Sequence, residues 1–198
     1  MTRIWVSVAS LFWRALIVIA MIVPVCGAAW AAELDGIQMP DTMQVNGKTL
    51  HLNGVGVRTY SIFAIHIYVA GLYLEYPSTD PENIIGSLET KVLAVKFEHD
   101  VDADAARKAW REGFANNCQA PCHLDVDEMQ RFLADVPDMN AGDSYAIVFT
   151  RRGATISLNG REIGTIEHRQ FAEAMLATFL GPKPAMERLK QALLAGHP

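Results

Sequence analysis

The sequence predicts an α+β fold: one large, mainly antiparallel sheet covered on one face by a helical layer. Three observations carry this expectation. Asn46-Gly47 and Asn159-Gly160 each stand between alternating runs, the signature of a two-residue hairpin. The stretch from Ile62 to Tyr73 is rich in β-branched and aromatic residues and reads as a long strand. Helix-period stripes then fall in blocks between the strands, so the order is strands, helices, strands, helices.

The chain begins with a targeting signal. Arg3 and Arg14 supply positive charge, Ala15 to Ala28 is apolar, and no acidic residue occurs before Glu33. The small residues from Ala28 to Ala32 suit signal-peptidase cleavage near Ala31 or Ala32. The apolar run is short for a membrane span, and an uncleaved anchor is the alternative. Residues 1–32 are thus read as signal peptide and 33–198 as one domain, in a periplasmic or secreted protein with no stable span after cleavage. The signal takes both arginines and no acid with it, so the net charge moves from −5 to −7 on the remaining 166 residues. An acidic exported domain without a basic stripe is a poor candidate for nucleic-acid binding.

Thr42 to Val45 and Lys48 to about Thr59 flank the first hairpin turn, and Ser61 to Glu75 forms the next strand, ended by Pro77. Asp80-Pro81 starts a short helix, with proline in its first turn. Lys91 to Glu98 is a strand with Leu93, Val95 and Phe97 on one face. Asp102 caps a helix to about Asn116 whose Ala106, Ala109, Trp110, Gly113 and Phe114 share a stripe. Asp125 or Asp127 opens another helix, limited by Pro137. Tyr145 to Thr150, Ala154 to Leu158 and Glu162 to Ile166 are strands. Arg169 to Phe179 is helical and stopped by Gly181-Pro182, and Ala185 to Leu194 is the last helix.

Within this frame Arg58 stands out as one arginine in an apolar and aromatic region, in the pattern Gly54-x-Gly56-x-Arg58. Strict alternation puts Leu50, Leu52, Gly54, Gly56 and Arg58 on one side of the strand. Two glycines leave room for a ligand or another segment of chain to approach closely. A buried guanidinium needs an anion or several acceptors. Two readings follow: a salt bridge to Glu75 or a neighbouring carboxylate, or an anchor for an anionic ligand. Alternation also puts His66 on the same face as Tyr68, as a hydrogen-bonded core residue or a titrating pocket group. Asn53, followed by Gly54, is read as a turn asparagine like Asn159. His51, His99 and His168 lack metal-ligand spacing, so no metal site and no cofactor are expected. No nucleophile elbow, phosphate loop or acid pair is present.

Cys118 and Cys122 survive cleavage and lie four residues apart around Pro121. In an exported protein this spacing favours a small disulfide loop near a helix end. A redox pair and half of a metal site with His123 are the alternatives.

Leu52-Asn53-Gly54-Val55-Gly56-Val57-Arg58, followed by Tyr68-Val69-Ala70-Gly71-Leu72-Tyr73-Leu74, resembles the chalcone isomerase-like family. Leu158-Asn159-Gly160, Gly164-Thr165-Ile166, Phe171 and Phe179-Leu180-Gly181-Pro182 are similar to the C-terminal part of its exported bacterial branch. The resemblance covers about Gln38 to Leu194. It implies an open-faced β-sandwich, a large antiparallel sheet covered by helices with a ligand cleft between. The family's plant enzymes close a chalcone to a flavanone. Their arginine falls on Arg58, their threonine on Tyr68, their tyrosine near Val101 and their asparagine near Lys108. Arginine is kept while most polar partners are lost. Fatty-acid-binding members pair an arginine with a tyrosine, and Arg58 with Tyr68 looks more like that arrangement.

These readings lead to a binding protein for a small amphipathic anion, a fatty acid or an aromatic acid. The expected ligand-binding residues are Arg58, Tyr68, Gly54 and Gly56. One alternative is an isomerase (an intramolecular lyase) acting through Arg58 on an unknown substrate. Another is a structural or interaction protein in which Arg58 only holds the fold together.

Overall fold

The structure is a computed structural model that describes residues 31–60, 65–118 and 122–196. In chain order its elements are β1 (Ala31–Leu34), β2 (Ile37–Pro40), β3 (Thr42–Val45), β4 (Lys48–Tyr60), β5 (Ile65–Leu74), α1 (Pro81–Gly86), β6 (Lys91–Phe97), α2 (Ala103–Asn117), α3 (Val126–Asp135), β7 (Ser144–Phe149), β8 (Ala154–Leu158), β9 (Arg161–Ile166), α4 (Arg169–Leu180) and α5 (Glu187–Leu193). Strands β3 to β9 form one seven-stranded antiparallel meander in sequence order, and β1–β2 is a separate hairpin. Each connection joins neighbours, so the helices are excursions from the meander rather than crossovers.

Local chemistry explains most element ends. Asn46 and Asn159 adopt left-handed φ of 51° and 52°, each followed by a glycine at 76°, as a two-residue hairpin turn requires. Asp80, Asp102 and Asp125 cap α1, α2 and α3 by accepting backbone N–H bonds from the first turn. The unexpected element is β1–β2, which turns at Asp35 (φ 54°) and Gly36 (φ 76°). Its strands have four residues each, and Ala31 and Ala32 carried the cleavage expectation. The backbone at those two residues pairs with Pro40 and Met39. The rest of the expected signal, residues 1–30, lies outside the described residues. Among the described residues no helix is long and apolar enough to cross a membrane.

The sheet has two apolar faces. On one, Leu72, Leu93, Ile147 and Ile156 pack against Phe114 of α2, Phe132 of α3 and Phe171, Met175, Leu176 and Leu180 of α4. Full burial of such a side chain is worth roughly 2 kcal/mol, so α4 is the main fastening of the helical layer. On the opposite face Met39, Leu50, Leu52, Val69, Tyr73 and Val92 are buried, with the β1–β2 hairpin over them. Cys118 and Cys122 are joined by a disulfide, with their α-carbons 5.1 Å apart, just past the end of α2.

Strict alternation along β4 and β5 does not hold. Leu52 pairs with Tyr73 while Gly54 pairs with Leu72, so Asn53 is the extra residue of a bulge. Leu50 and Leu52 therefore face the hairpin, whereas Gly54, Gly56 and Arg58 face the helices, which corrects the single shared face expected for all five. A second irregularity pairs Arg58 with Tyr68 and Thr59 with His66, skipping Ile67. It turns His66 to the hairpin side, away from Tyr68, against the expectation that they share a face.

Candidate functional site: a cleft between the sheet and the helical layer

Asn53 is no turn residue. It is fully buried, donates from Nδ2 to Ser78 O and Leu193 O (both 2.9 Å), and accepts Ser78 N–H at 2.8 Å. The bulge it occupies is thereby fixed to the C-terminal helix. The room left by the two glycines is taken by that same helix. A Cβ on Gly54 would lie 2.2 Å from Ala192 O, and one on Gly56 would lie 2.7 Å from Ala192 Cβ. The segment that approaches the glycines is thus α5 and not a ligand, and neither glycine lines the cleft. Their expected ligand-binding role is corrected to one of close helix–strand packing.

Helix α5 runs antiparallel to β4, so Leu193 lies over Gly54, Leu189 over Gly56, and the chain before α5 over Thr59. Arg58 comes where this cover ends. There the space between sheet and helices opens into a cleft of about 470 Å³. That volume is in the range of small-molecule sites, roughly 300–1,000 Å³. Its walls are mainly apolar: Val95 and Phe97 from β6, Trp110 from α2, Met139, and Phe179 from α4.

Arg58 and Tyr68 are direct cross-strand partners and both line this cleft. The Arg58 guanidinium stands close enough to the Tyr68 hydroxyl to act on its charge. Burial raises the Tyr68 pKa above that of a free phenol, although the neighbouring Arg58 guanidinium pulls the other way. Tyr68 is therefore a neutral hydroxyl at physiological pH. It keeps its own proton and can donate it to a ligand in the cleft beside the guanidinium. Its ring is held edge-on to Phe97 at 5.5 Å.

Among the described residues no carboxylate pairs with Arg58. Glu75, the expected partner, sits near the opposite end of β5. It takes Lys48 Nζ at 2.6 Å and the Thr90 N–H at 2.5 Å. Burial pushes the Glu75 pKa up, but the Lys48 and Thr90 hydrogen bonds outweigh this and hold it below the usual value. The aspartates at the cleft mouth are committed to backbone amides: Asp100 to Ala141 N–H at 2.7 Å and Asp102 to Ala105 N–H at 2.8 Å.

Val101 and Lys108, the positions matched to the plant enzymes' tyrosine and asparagine, also line this cleft. Val101 is tied into a short bridge with Met139 and offers no side-chain donor. Sequence reasoning missed Tyr145. It is 8% exposed, lines the cleft, and its hydroxyl has no hydrogen-bond partner among the described residues. Burial pushes its pKa well up. Trp110 and Phe179, whose rings stand 5.8 Å apart, were read only as helix-stripe and core residues. A second, smaller cavity of about 250 Å³ lies beyond Val136 and Tyr145. There the buried Glu128 is already satisfied by His168 Nδ1 at 2.7 Å and Glu167 N–H at 2.9 Å.

The sheet, its one-sided helical layer and the cleft with one cationic end define an open-faced sheet protein with a small-molecule cleft. The family profile described as chalcone isomerase-like matches residues 31–195, and the chain belongs to that family. The crystal structure of an Arabidopsis thaliana fatty-acid binding protein superimposes with a TM-score of 0.68 at 14% identity, covering 83% of this chain and 96% of that one. At that identity the likeness is one of fold. No curated protein matches the chain.

Proposed function

We propose that this protein is an exported, periplasmic binding protein for a small amphipathic anion, a fatty acid or an aromatic acid, held by Arg58 and Tyr68. The observation that carries the reading is a guanidinium without a carboxylate partner among the described residues, in an apolar cleft that it lines together with its cross-strand partner, a neutral tyrosine. A carboxylate there takes parallel N–H bonds from Arg58 and one O–H bond from Tyr68. The apolar tail lies along Phe97, Trp110 and Phe179. The superimposed structure is of a protein named for fatty-acid binding, which supports this ligand class. Native mass spectrometry on protein isolated from its own envelope should show a bound organic acid. A bare polypeptide mass, together with no heat of binding for palmitate or cinnamate, would contradict the proposal. The polypeptide mass also reports the N-terminus, which should be Ala32 or Glu33.

An isomerase acting through Arg58 is the second reading, since the guanidinium and the Tyr68 hydroxyl together suit an oxyanion. Against it stands Val101, where the plant enzymes carry a hydroxyl donor. Loss of one such donor slows chemistry roughly 100-fold or more. Rapid stereoselective closure of a chalcone, abolished in Arg58→Ala, would favour the isomerase.

A further inference from the structure

Three residues distant in sequence meet on the hairpin side of the sheet. Asp35 comes from the β1–β2 turn, His66 from the bulged start of β5, and Glu98 from the residue after β6. One donor atom from each lies within 4.8 Å of the others. Backbone features place them there. The positive φ of 54° at Asp35 turns the hairpin, and the skipped Ile67 swings His66 to this face. The Ile67 carbonyl accepts the Glu98 N–H at 2.9 Å, which fixes the third residue.

His66 Nδ1 and Asp35 Oδ2 are 2.8 Å apart, which accounts for two of the three groups. It does not account for Glu98. Its Oε2 is shut off from solvent and has no hydrogen-bond partner among the described residues. A carboxylate oxygen removed from water without a donor is costly. A divalent cation seated between the three side chains satisfies it and neutralises both acids at once.

We propose that Asp35, His66 and Glu98 bind a divalent transition-metal ion of the zinc class. An imidazole with two carboxylates suits such an ion, whereas calcium and magnesium favour ligand sets made of oxygen alone. Zinc-to-ligand bonds are about 2.0–2.2 Å long, so donors on one ion stand roughly 4 Å apart or less. The widest pair, within 4.8 Å, needs to close by only about 1 Å, while His66 Nδ1 and Asp35 Oδ2, at 2.8 Å, open slightly. The Asp35 and His66 side chains are 30% and 41% exposed, which leaves a path for the ion and a position for water. Three protein ligands with one open position is the arrangement of an accessible zinc site rather than a closed structural one. The bound ion would pin the β1–β2 hairpin to β5 and β6.

Untagged protein stripped with EDTA and titrated with zinc chloride in a calorimeter provides the test. One equivalent should bind and raise the melting temperature, and magnesium should do neither. Glu98→Gln keeps the side-chain size and should fold normally, since Oε2 has no partner to lose. It should weaken zinc binding by at least the roughly 10–100-fold that loss of a mere outer-shell partner costs. His66→Gln should weaken it similarly and serves as the second variant. Zinc binding that is absent in the wild type, or unchanged in both variants, would overturn the site. The second result would place the ion on other histidines.

Discussion

Asn53 is where the strand changes phase, and one side chain holds the change in place. Its three hydrogen bonds tie β4 to Ser78 and to Leu193, with no exposure to water. Asn53→Ala removes all three and strands two carbonyls and an N–H. The expected cost is about 2–4 kcal/mol, from roughly 1 kcal/mol per bond plus desolvated groups left unpaired. Urea denaturation measures it, and a loss under about 0.5 kcal/mol would show that the bulge does not depend on this amide. The case also marks what single residues reveal in a sequence. An isolated arginine after two glycines is visible as an oddity. The phase slip that aims it is not, because a bulge adds one residue to a period-two pattern without changing composition. Asp35, His66 and Glu98 were hidden for a different reason: no local spacing links positions so far apart.

At the scale of elements, the hairpins and caps were legible because they follow from φ and from unpaired N–H groups. Asn-Gly at the two turns and aspartate before α1, α2 and α3 leave few alternatives. The β1–β2 hairpin was not recognised, since its first strand overlaps the small residues of a cleavage site. The place of α5 could not be read either. Its stripe says only that one face is buried, whereas the glycines at positions 54 and 56 say only that something comes close. The structure joins the two facts, and the junction is testable. Gly54→Ala puts a methyl 2.2 Å from the Ala192 carbonyl oxygen, against backbone that cannot rotate away. Overpacking of this kind costs roughly 1–3 kcal/mol, and more when backbone must move. Hydrogen exchange should show α5 amides losing protection before those of α4. If α5 protection is unchanged and stability falls by less than about 0.5 kcal/mol, the packing account of the glycines fails.

For the whole molecule, a meander of neighbouring strands presents one continuous face to its helices. The helical layer does not fill that face. Close packing by α5 over Gly54 and Gly56, and by α4 over the centre, leaves the cleft where both covers end. The cationic end of that cleft falls two residues past Gly56, at Arg58, and an apolar wall of Phe97, Trp110 and Phe179 lines the same cleft. The Gly-x-Gly-x-Arg spacing matters because it delivers a guanidinium just beyond a covered stretch of strand.

The most direct measurement is a calorimetric titration of palmitate into wild type, Arg58→Met and Tyr68→Phe, with the urea midpoint of each ligand-free protein taken alongside. Methionine replaces the guanidinium with an apolar chain of similar length. Arg58→Met should therefore fold with unchanged or higher ligand-free stability, since no buried carboxylate is stranded. Its affinity should fall roughly 10–100-fold, the equivalent of about 1.5–3 kcal/mol for hydrogen bonds to a charged group. Tyr68→Phe should lose about fivefold or more through one hydrogen bond. Arg58→Met destabilised by about 3 kcal/mol or more, with palmitate affinity unchanged, would instead make Arg58 part of an internal ion pair and contradict the account.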